Sequence, residues 1–414
     1  MDIPHACDPA TGAVEEPSKD RSTGRLVGID IARGIALLGM MAIHILDPAS
    51  PDGNMSLPWV IAAGKSAALF AVVAGVGIAF ASGRHRLPRG RRWTAAAVSL
   101  VVRALIIGAV GLALGAVVRL PTAAVILPYY AVLFVLAIPL LRLRVGWLAL
   151  LGALSAVAVP VLSHVWRAGL PPWPKVNPTF DQLLADPAGV ATQLLLTGMY
   201  PALPWVAYLC VGMAVGRSRL SSRGVVLRIT AIGVGLALAA STASWVLLDG
   251  LGGRAQLEAD ALGEMNMSLE DYAELLVWGA SGTLPTSSPW WLAVLAPHAT
   301  TPVDLVYTIG TSLAVLGGAI LLGRMVGGLL TPLAKAGAMT FTLYTAHLLL
   351  LVAVSLPEHD AAEYALQVLA VVAFALLWTR RFSRGPLEHA VWWTTTRARE
   401  RIMGTSAGTG PRPA

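Results

Sequence analysis

The chain contains about ten apolar stretches, each long enough to cross a lipid bilayer as a helix. A helix rises about 1.5 Å per residue, so about 20 apolar residues span the roughly 30 Å hydrocarbon layer. Only 13% of the 414 residues are charged, so little polar surface is left to face water. The sequence therefore predicts an all-α fold, a polytopic membrane helix bundle of about ten transmembrane helices with the lipid bilayer as its solvent. The stretches lie near residues 28–46, 58–82, 95–118, 122–141, 147–166, 196–216, 225–248, 302–323, 337–356 and 362–379.

Basic residues accumulate in every second connection between these stretches. The connections with Arg142, Arg217 and Arg324 are basic, whereas the long connections near 167–190 and 249–301 are polar or acidic. Lys and Arg gather in cytoplasmic loops, so the pattern predicts a multi-pass protein of the plasma membrane with both termini in the cytoplasm. The net charge of +7 follows from this bias and does not indicate nucleic-acid binding.

The two ends of the chain differ from its apolar body. Residues 1–24 are polar with mixed charges, and no cleavage site for a signal peptide follows the first apolar stretch, so we expect a disordered cytoplasmic leader. Residues 391–414 are basic and end in a short Gly/Ser/Pro-rich segment, for which we expect a disordered cytoplasmic tail. Residues 25–390 form the transmembrane domain, with the two long connections as outer loops.

The first stretch carries two residues that are costly within a membrane, Arg33 and His44. At 100° per residue, their spacing brings them within about 20° on one helical face and about 16 Å apart along the axis. Arg33 alone could be an anchor paired with Asp30, and His44 alone could make a hydrogen bond between helices. Together they predict a ligand that stretches from a cation to an imidazole.

Five more polar residues lie within or at the mouth of other predicted stretches. Lys65 lies about 10 Å inside the second stretch, where its ammonium either reaches back to the surface or faces a site. His298 and Asp304 mark the mouth of the eighth stretch and are candidates for substrate binding. In the ninth stretch, Tyr344 and His347 share one helical face. A hydrogen bond between helices would explain His347 as well as catalysis would.

Arginines surround the second and third stretches on the predicted inner side, among them Arg84 and Arg103. Guanidinium groups match phosphate oxygens with two parallel hydrogen bonds, so this cluster could seat a nucleotide diphosphate. The alternative is that these arginines only set the orientation in the membrane. That alternative applies least to Arg103, because it lies inside the third stretch.

The segment from Arg25 to His44, with the core Ile-Asp-Ile-Ala-Arg-Gly-Ile-Ala-Leu-Leu, resembles the opening of the transmembrane acyltransferase superfamily. That superfamily includes the heparan-alpha-glucosaminide N-acetyltransferase-like proteins and bacterial O-acyltransferases, which carry an Arg, ten residues and then a His. Four further motifs are similar to a related bacterial branch called domain of unknown function 418. They are Gly64-Lys-Ser-Ala-Ala-Leu-Phe, Tyr200-Pro-Ala-Leu-Pro-Trp-Val-Ala-Tyr, Pro332-Leu-Ala-Lys-Ala-Gly-Ala-Met-Thr and Arg384-Gly-Pro-Leu-Glu388.

The resemblance implies an acyltransferase whose donor is acetyl-CoA or another acyl-CoA, without a metal. The donor would thread between helices, with its phosphates near Arg33, Arg103 and Arg84. His44 would act as general base or briefly carry the acyl group, and both roles stay open.

Other residues would complete the site that the resemblance implies. Lys65 or His347 could stabilise the oxyanion. The acceptor would be an envelope glycan on the outer face, bound by Asp304, His298 and Tyr344.

The main alternative is a secondary transporter of a small solute. The segment Gly198-Met-Tyr-Pro201-Ala-Leu-Pro204 interrupts the start of the sixth stretch, as broken helices do at transporter sites. No inverted repeat is visible, however, and carboxylates within the stretches are almost absent. A passage joining Arg33 to His44 would indicate an enzyme, whereas a closed cavity at the membrane midplane between symmetric halves would indicate a carrier.

Overall fold

The computed structural model describes residues 27–50, 52–120, 122–171, 173–280, 282–354 and 359–404. Within these ranges the regular structure is helical, apart from one isolated antiparallel bridge between Ala49 and Met55. The prediction of an all-α polytopic bundle is therefore confirmed. The predicted leader, residues 1–24, lies outside the described residues.

Seventeen α-helices make up the described part of the chain. Two π-helical turns, Gln193–Thr197 and Val246–Gly250, continue α8 and α10, and a 3₁₀ turn covers Pro289–Ala293. The helices are α1 Val27–Ile45, α2 Leu57–Ala62, α3 Lys65–Ala81, α4 Arg91–Val117, α5 Leu127–Leu140, α6 Val145–Arg167, α7 Phe180–Ala185, α8 Pro187–Thr192, α9 Ala202–Gly216, α10 Arg223–Trp245, α11 Gly253–Gly263, α12 Leu269–Trp278, α13 Pro302–Val326, α14 Thr331–Gly337, α15 Thr340–Ala353, α16 Asp360–Trp378 and α17 Pro386–Met403.

The described residues include 7 helices that are long and apolar enough to cross a membrane, counting α2 with α3 and α10 with its π turn. Two bent pairs, α8 with α9 and α14 with α15, raise the number to 9 if each pair is one span. The short apolar helix α5 is not among these. The predicted total of ten is therefore reached only if α5 also spans the bilayer.

Helix α1 lies at the centre of the bundle, packed against α3, α13, α14, α15 and α16. Most of its residues are buried, including Ile31, Leu37 and Met41. Helices α3 and α9 pack at close range where Gly75 faces Gly212. The close approach requires glycine, because a Cβ atom at either position would overlap the backbone of the opposite helix. A central helix shielded from lipid in this way can carry polar side chains at moderate cost, since they face protein.

The bend between α14 and α15 sets the position of α15 against α1. The two helices differ in direction by 83°. At the end of α14, Gly337 lies directly on the backbone of α1, and a Cβ atom there would overlap the carbonyl oxygen of Asp30. Only glycine fits at this contact. Because α15 follows directly after α14, its position against α1 depends on Gly337.

We expect Gly337→Ala to destabilise the protein by about 1 to 3 kcal/mol, the usual cost of overpacking a core. The measurement is the midpoint of thermal unfolding of the purified protein in detergent. Gly146→Ala is the matched control, because a Cβ atom at Gly146 meets no atom within 4 Å. Equal midpoints for the two variants would contradict the close contact between α14 and α1.

The expectation of a disordered tail is wrong for residues 391–403, which belong to α17. Pro386 stands in the first turn, where a missing N–H costs no hydrogen bond. The Glu388 carboxylate accepts hydrogen bonds from the N–H groups of Phe341 and Thr342 at 2.7 and 3.2 Å and from the Thr342 hydroxyl at 2.6 Å. These contacts tie α17 to the start of α15. Residues 405–414 of the predicted tail lie outside the described residues.

Candidate active site

Two histidines from distant parts of the chain meet at one end of the central helix. Nδ1 of His44, in the last turn of α1, lies 3.1 Å from Nε2 of His347 in α15. The ring planes are within 7° of each other and the ring centroids are 5.3 Å apart. The two nitrogens therefore lie between the ring centres and the rings meet edge to edge, which suits an in-line hydrogen bond.

The hydrogen bonds continue from His347 into α16. Nδ1 of His347 lies 2.7 Å from Oε1 of Gln367, and Nε2 of Gln367 donates to Oε1 of Glu363 at 3.1 Å. His347, Gln367 and Glu363 are all buried. We call His44, His347, Gln367 and Glu363 the histidine chain.

The direction of the hydrogen bonds in the histidine chain fixes the tautomers of both rings in their neutral forms. Gln367 uses its NH₂ group to donate to Glu363, so its carbonyl oxygen faces His347 and must accept from Nδ1. Nε2 of His347 then carries the lone pair, and Nδ1 of His44 donates to it. Nε2 of His44 is therefore left with its lone pair and can accept a proton.

A cavity of about 700 Å³ lies in the bundle beside α1. Its lining includes four arginines, Arg33, Arg103, Arg384 and Arg399, and we call it the arginine cavity. Guanidinium groups with hydrocarbon walls between them favour an anionic ligand with an apolar part.

The far end of the arginine cavity comes close to the histidine chain. Met40 and Tyr344 line this end, and each lies about one helical turn before one of the two histidines, His44 and His347. His44 is not part of the lining. The cavity therefore extends from Arg33 to within about one helical turn of the histidine pair, and the predicted passage to His44 is not continuous in the described residues.

The structure places three of the predicted residues in this cavity and leaves one out. Arg33 bonds Asp30 at 3.2 Å and keeps 30% of its side chain exposed, and the Arg103 guanidinium lies 5.5 Å from the Phe134 ring centre.

Tyr344 also lines the arginine cavity, and its hydroxyl oxygen accepts a 3.4 Å hydrogen bond from the N–H of Ile126. Arg84 is not in the lining, and its guanidinium lies 4.3 Å from the ring centre of Phe80.

The remaining predicted residues gather near the start of α13. Nζ of Lys65 donates to the carbonyl of Val60 at 2.6 Å and lies 5.4 Å from the ring centre of Tyr307. The buried Asp304 carboxylate accepts the N–H of Thr300 at 2.8 Å. Gly64, the residue before Lys65, lies against the backbone of His298. None of these groups is a member of the histidine chain.

His298 is buried in a strained loop that leads into α13. Its φ of +59° and the φ of +54° at Thr300 lie in the left-handed region that residues other than glycine rarely adopt. Nδ1 of His298 is buried and has no hydrogen-bond partner among the described residues, and the ring packs edge-on against Tyr200 with the ring centroids 5.2 Å apart. Burial, and secondarily the charge of Lys65, lower the pKa of His298 to about 4, so the ring is neutral at pH 7.

Sequence reasoning missed Gln367 and Glu363 in the site. The signal in the sequence is the pair Glu363 and Gln367, one helical turn apart in the mainly apolar helix α16. Burying such a side chain within a membrane helix costs free energy unless it has a partner inside the protein. Within the described residues, no group of three or more His, Cys, Asp or Glu side chains is arranged to hold a metal ion.

An apolar helix bundle with an arginine-lined cavity and a pair of hydrogen-bonded histidines defines a polytopic membrane protein with a candidate site for an anionic ligand. Residues 25–248 match the family model described as heparan-alpha-glucosaminide N-acetyltransferase, catalytic, and this segment is more than half of the chain. The chain therefore belongs to the heparan-alpha-glucosaminide N-acetyltransferase catalytic family, a family of membrane acetyltransferases. The matched segment contains Arg33, His44 and Arg103 and ends before His347. No curated protein matches the chain.

Proposed function

We propose that the protein is a membrane-embedded acyltransferase that moves an acyl group, such as acetyl, from acyl-CoA in the cytoplasm to an envelope glycan on the outer face. The observation that carries this proposal is the arginine cavity, which extends from four guanidinium groups to within one turn of the histidine pair. The charge bias of the connections supports the orientation, with the arginine cavity open to the cytoplasm and the histidine chain near the outer face. Membership of the bacterial branch of unknown function stays a prediction.

The donor has an anionic end and a thin apolar arm, and the arginine cavity matches both. We assign the phosphates to Arg33 and Arg103, because both line the cavity, and not to Arg84, which does not. The distance from Arg33 to His44 along α1 is about 16 Å, the order of length of an extended pantetheine arm. Met40 and Tyr344 would have to move aside for the thioester to reach His44.

His44 is the group best placed to move a proton. Its Nε2 atom would accept the proton of an acceptor hydroxyl or amine as that group attacks the thioester carbonyl. The carbon–sulfur bond then breaks, and the imidazolium returns the proton to the departing thiolate. The hydrogen bond from Nδ1 to His347 holds the ring in the tautomer that this step needs. A transient acyl group on His44 is the alternative that the arrangement of residues leaves open.

The acceptor would enter from the side of His298, Lys65 and Asp304. The unpartnered Nδ1 of His298 and the left-handed backbone of its loop support this assignment, because strained backbone and unsatisfied buried groups gather at binding sites. A glycan hydroxyl would offer His298 the partner that the described residues do not supply.

The transporter alternative receives less support. The break at Gly198 and Pro201 is present as the bent pair of α8 and α9. Neither residue lines the arginine cavity, however. A carrier would place its broken helix at the substrate site.

The proposal is tested by reconstituting the purified protein with radiolabelled acetyl-CoA and an extract of cell-envelope glycans. Labelled glycan is the expected product. Absence of acetyl-CoA binding, together with passage of a solute across the bilayer, would support the transporter instead.

Arg103→Leu is expected to raise the KM for acetyl-CoA about tenfold or more, because a hydrogen bond to a charged group contributes about 1.5 to 3 kcal/mol. Arg84→Leu removes the same charge outside the cavity and is expected to leave the KM within about twofold. Initial rates of labelled product against acetyl-CoA concentration give both values. A larger effect at Arg84 than at Arg103 would contradict the placement of the donor.

A further inference from the structure

Helix α17 contributes one complete face to the mouth of the arginine cavity. The residues of α17 that line the cavity lie three or four positions from one another along the chain, or are direct neighbours, as expected for residues on a single helical face. The opposite face carries Trp393 and Arg397, which do not line the cavity and which contact each other at 3.6 Å from guanidinium to ring centre. The lining residues are Glu388, Val391, Trp392, Thr395, Thr396 and Arg399.

This wall is held in place by several hydrogen bonds. Both carboxylate oxygens of Glu388 are occupied by groups of Phe341 and Thr342 at the start of α15. The N–H of Leu387 donates to the Thr342 hydroxyl at 3.1 Å, and α17 also packs against α4. The residues that α17 presents to the cavity are therefore positioned before a ligand arrives.

The ionisable groups of the cavity lining have a strong positive excess. Arg384 and Arg399 stand at the α17 wall, and Arg33 and Arg103 lie deeper. Glu388 is the acid in the lining, and its oxygens already accept hydrogen bonds. Four guanidinium groups around one cavity suit a ligand with several negative charges, such as two or three phosphates.

The wall also offers an aromatic surface beside these charges. Trp392 lines the cavity and is 41% exposed, and the Arg384 guanidinium lies 4.3 Å from its ring centre. The His389 ring also packs against the indole, tilted by 48° with the ring centroids 5.4 Å apart. The accessible part of the indole can stack on a planar base. Arginines beside an accessible tryptophan distinguish a nucleotide from a simple anion, because a free phosphate has nothing to stack.

We propose that the cavity face of α17 binds the nucleotide end of the acyl donor, with Trp392 stacked on the base and Arg384 and Arg399 bonded to the phosphate on the ribose, while the diphosphate reaches Arg33 and Arg103 deeper in the cavity. This proposal rests on the proposed function in one respect, that the donor is an acyl-CoA. The family match ends at residue 248 and does not include α17.

The test measures the binding of CoA and of pantetheine to the full-length protein in nanodiscs of phosphatidylcholine by titration calorimetry. Trp392→Leu and Arg399→Ala are each expected to weaken CoA binding about tenfold and to leave pantetheine binding within about twofold. Trp393→Leu and Arg397→Ala are the matched controls, because they change the same residue types on the face that does not line the cavity. Both controls are expected to bind CoA within about twofold of the unsubstituted protein.

Three outcomes would overturn the proposal. In the first, the lining variants and their controls bind CoA alike. In the second, the lining variants weaken pantetheine binding as much as CoA binding, which would mean that α17 maintains the shape of the cavity and does not contact the nucleotide. In the third, Arg399→Ala leaves CoA binding unchanged but removes a rise in the thermal unfolding midpoint that the unsubstituted protein shows when phosphatidylglycerol is added to the nanodiscs, which would make this face of α17 a contact for anionic lipid.

The same measurements separate this proposal from the proposed function. If CoA binds through Trp392 and Arg399 but no acylated product forms, the acyltransferase proposal fails and the nucleotide site stands. If labelled product forms while these variants bind CoA normally, the nucleotide site on α17 fails and the acyltransferase proposal stands.

Discussion

Replacing His44 with alanine is expected to slow acyl transfer by about 10²- to 10⁴-fold, the range that a positioned general base contributes. The reason is that Nε2 of His44 is the nitrogen of the histidine pair left with a free lone pair. Binding of acetyl-CoA is expected to stay within about twofold, because His44 does not line the arginine cavity. Initial rates of labelled product and a separate binding titration measure the two effects.

A histidine that is remote from the site provides the control for this experiment. His85 is exposed in the connection between α3 and α4, so His85→Ala is expected to keep full activity. The thermal midpoints of both variants show whether the fold is retained. Equal product formation by His44→Ala and His85→Ala would exclude His44 as the base.

Replacing His347 with leucine is expected to lower kcat by about 10²- to 10³-fold with little change in KM. His44 would lose the acceptor for its Nδ1 proton, and the other tautomer would place a proton on the nitrogen that must accept one. Loss of the group that orients a catalytic histidine costs up to about 10⁴-fold in serine proteases. His347→Gln should restore part of the rate, because its amide oxygen can accept the same hydrogen bond.

The rest of the histidine chain should show a graded effect. Gln367→Leu leaves Nδ1 of His347 without its partner at 2.7 Å, so His347 can change tautomer. We expect kcat to fall about tenfold, less than for His347→Leu, and the two effects should not add, because the residues act as one unit. His164→Leu, at another buried histidine, is the control for packing. Additive losses with a rising KM would contradict the positioning role.

The sequence predicted the spans well because their signal is local. The first stretch, expected at residues 28–46, is helix α1 at Val27–Ile45, and the stretch at 225–248 is α10 with its π turn. The interruption near Pro201 was also visible, since proline ends a helix by its own chemistry. By contrast, α17 has few apolar residues, and Glu388 connects it to residues far away in the sequence, so no local pattern predicts that residues 391–403 are helical.

The site was only partly predictable, for a related reason. Helical periodicity predicts that Arg33 and His44 face one passage. Arg33 lines the arginine cavity, whereas His44 does not. The 303-residue separation between His44 and His347 means that their hydrogen bond is set by the packing of α1 against α15, which no local pattern encodes. Arg84 was a candidate because basic connections supply many arginines, and only the fold separates those that enter the bundle from those that do not.

The position of Met40 and Tyr344 at the end of the arginine cavity has an electrical consequence. If water fills the cavity from the cytoplasm, the insulating part of the protein shrinks there to little more than the layer between these side chains and the outer surface. The voltage across the membrane then falls mainly over that short distance, at about 2.3 kcal/mol per unit charge for each 100 mV. Tyr344 and Met40, each 3% exposed, mark the inner edge of that layer, so a charge that moves past them would cross most of the membrane voltage.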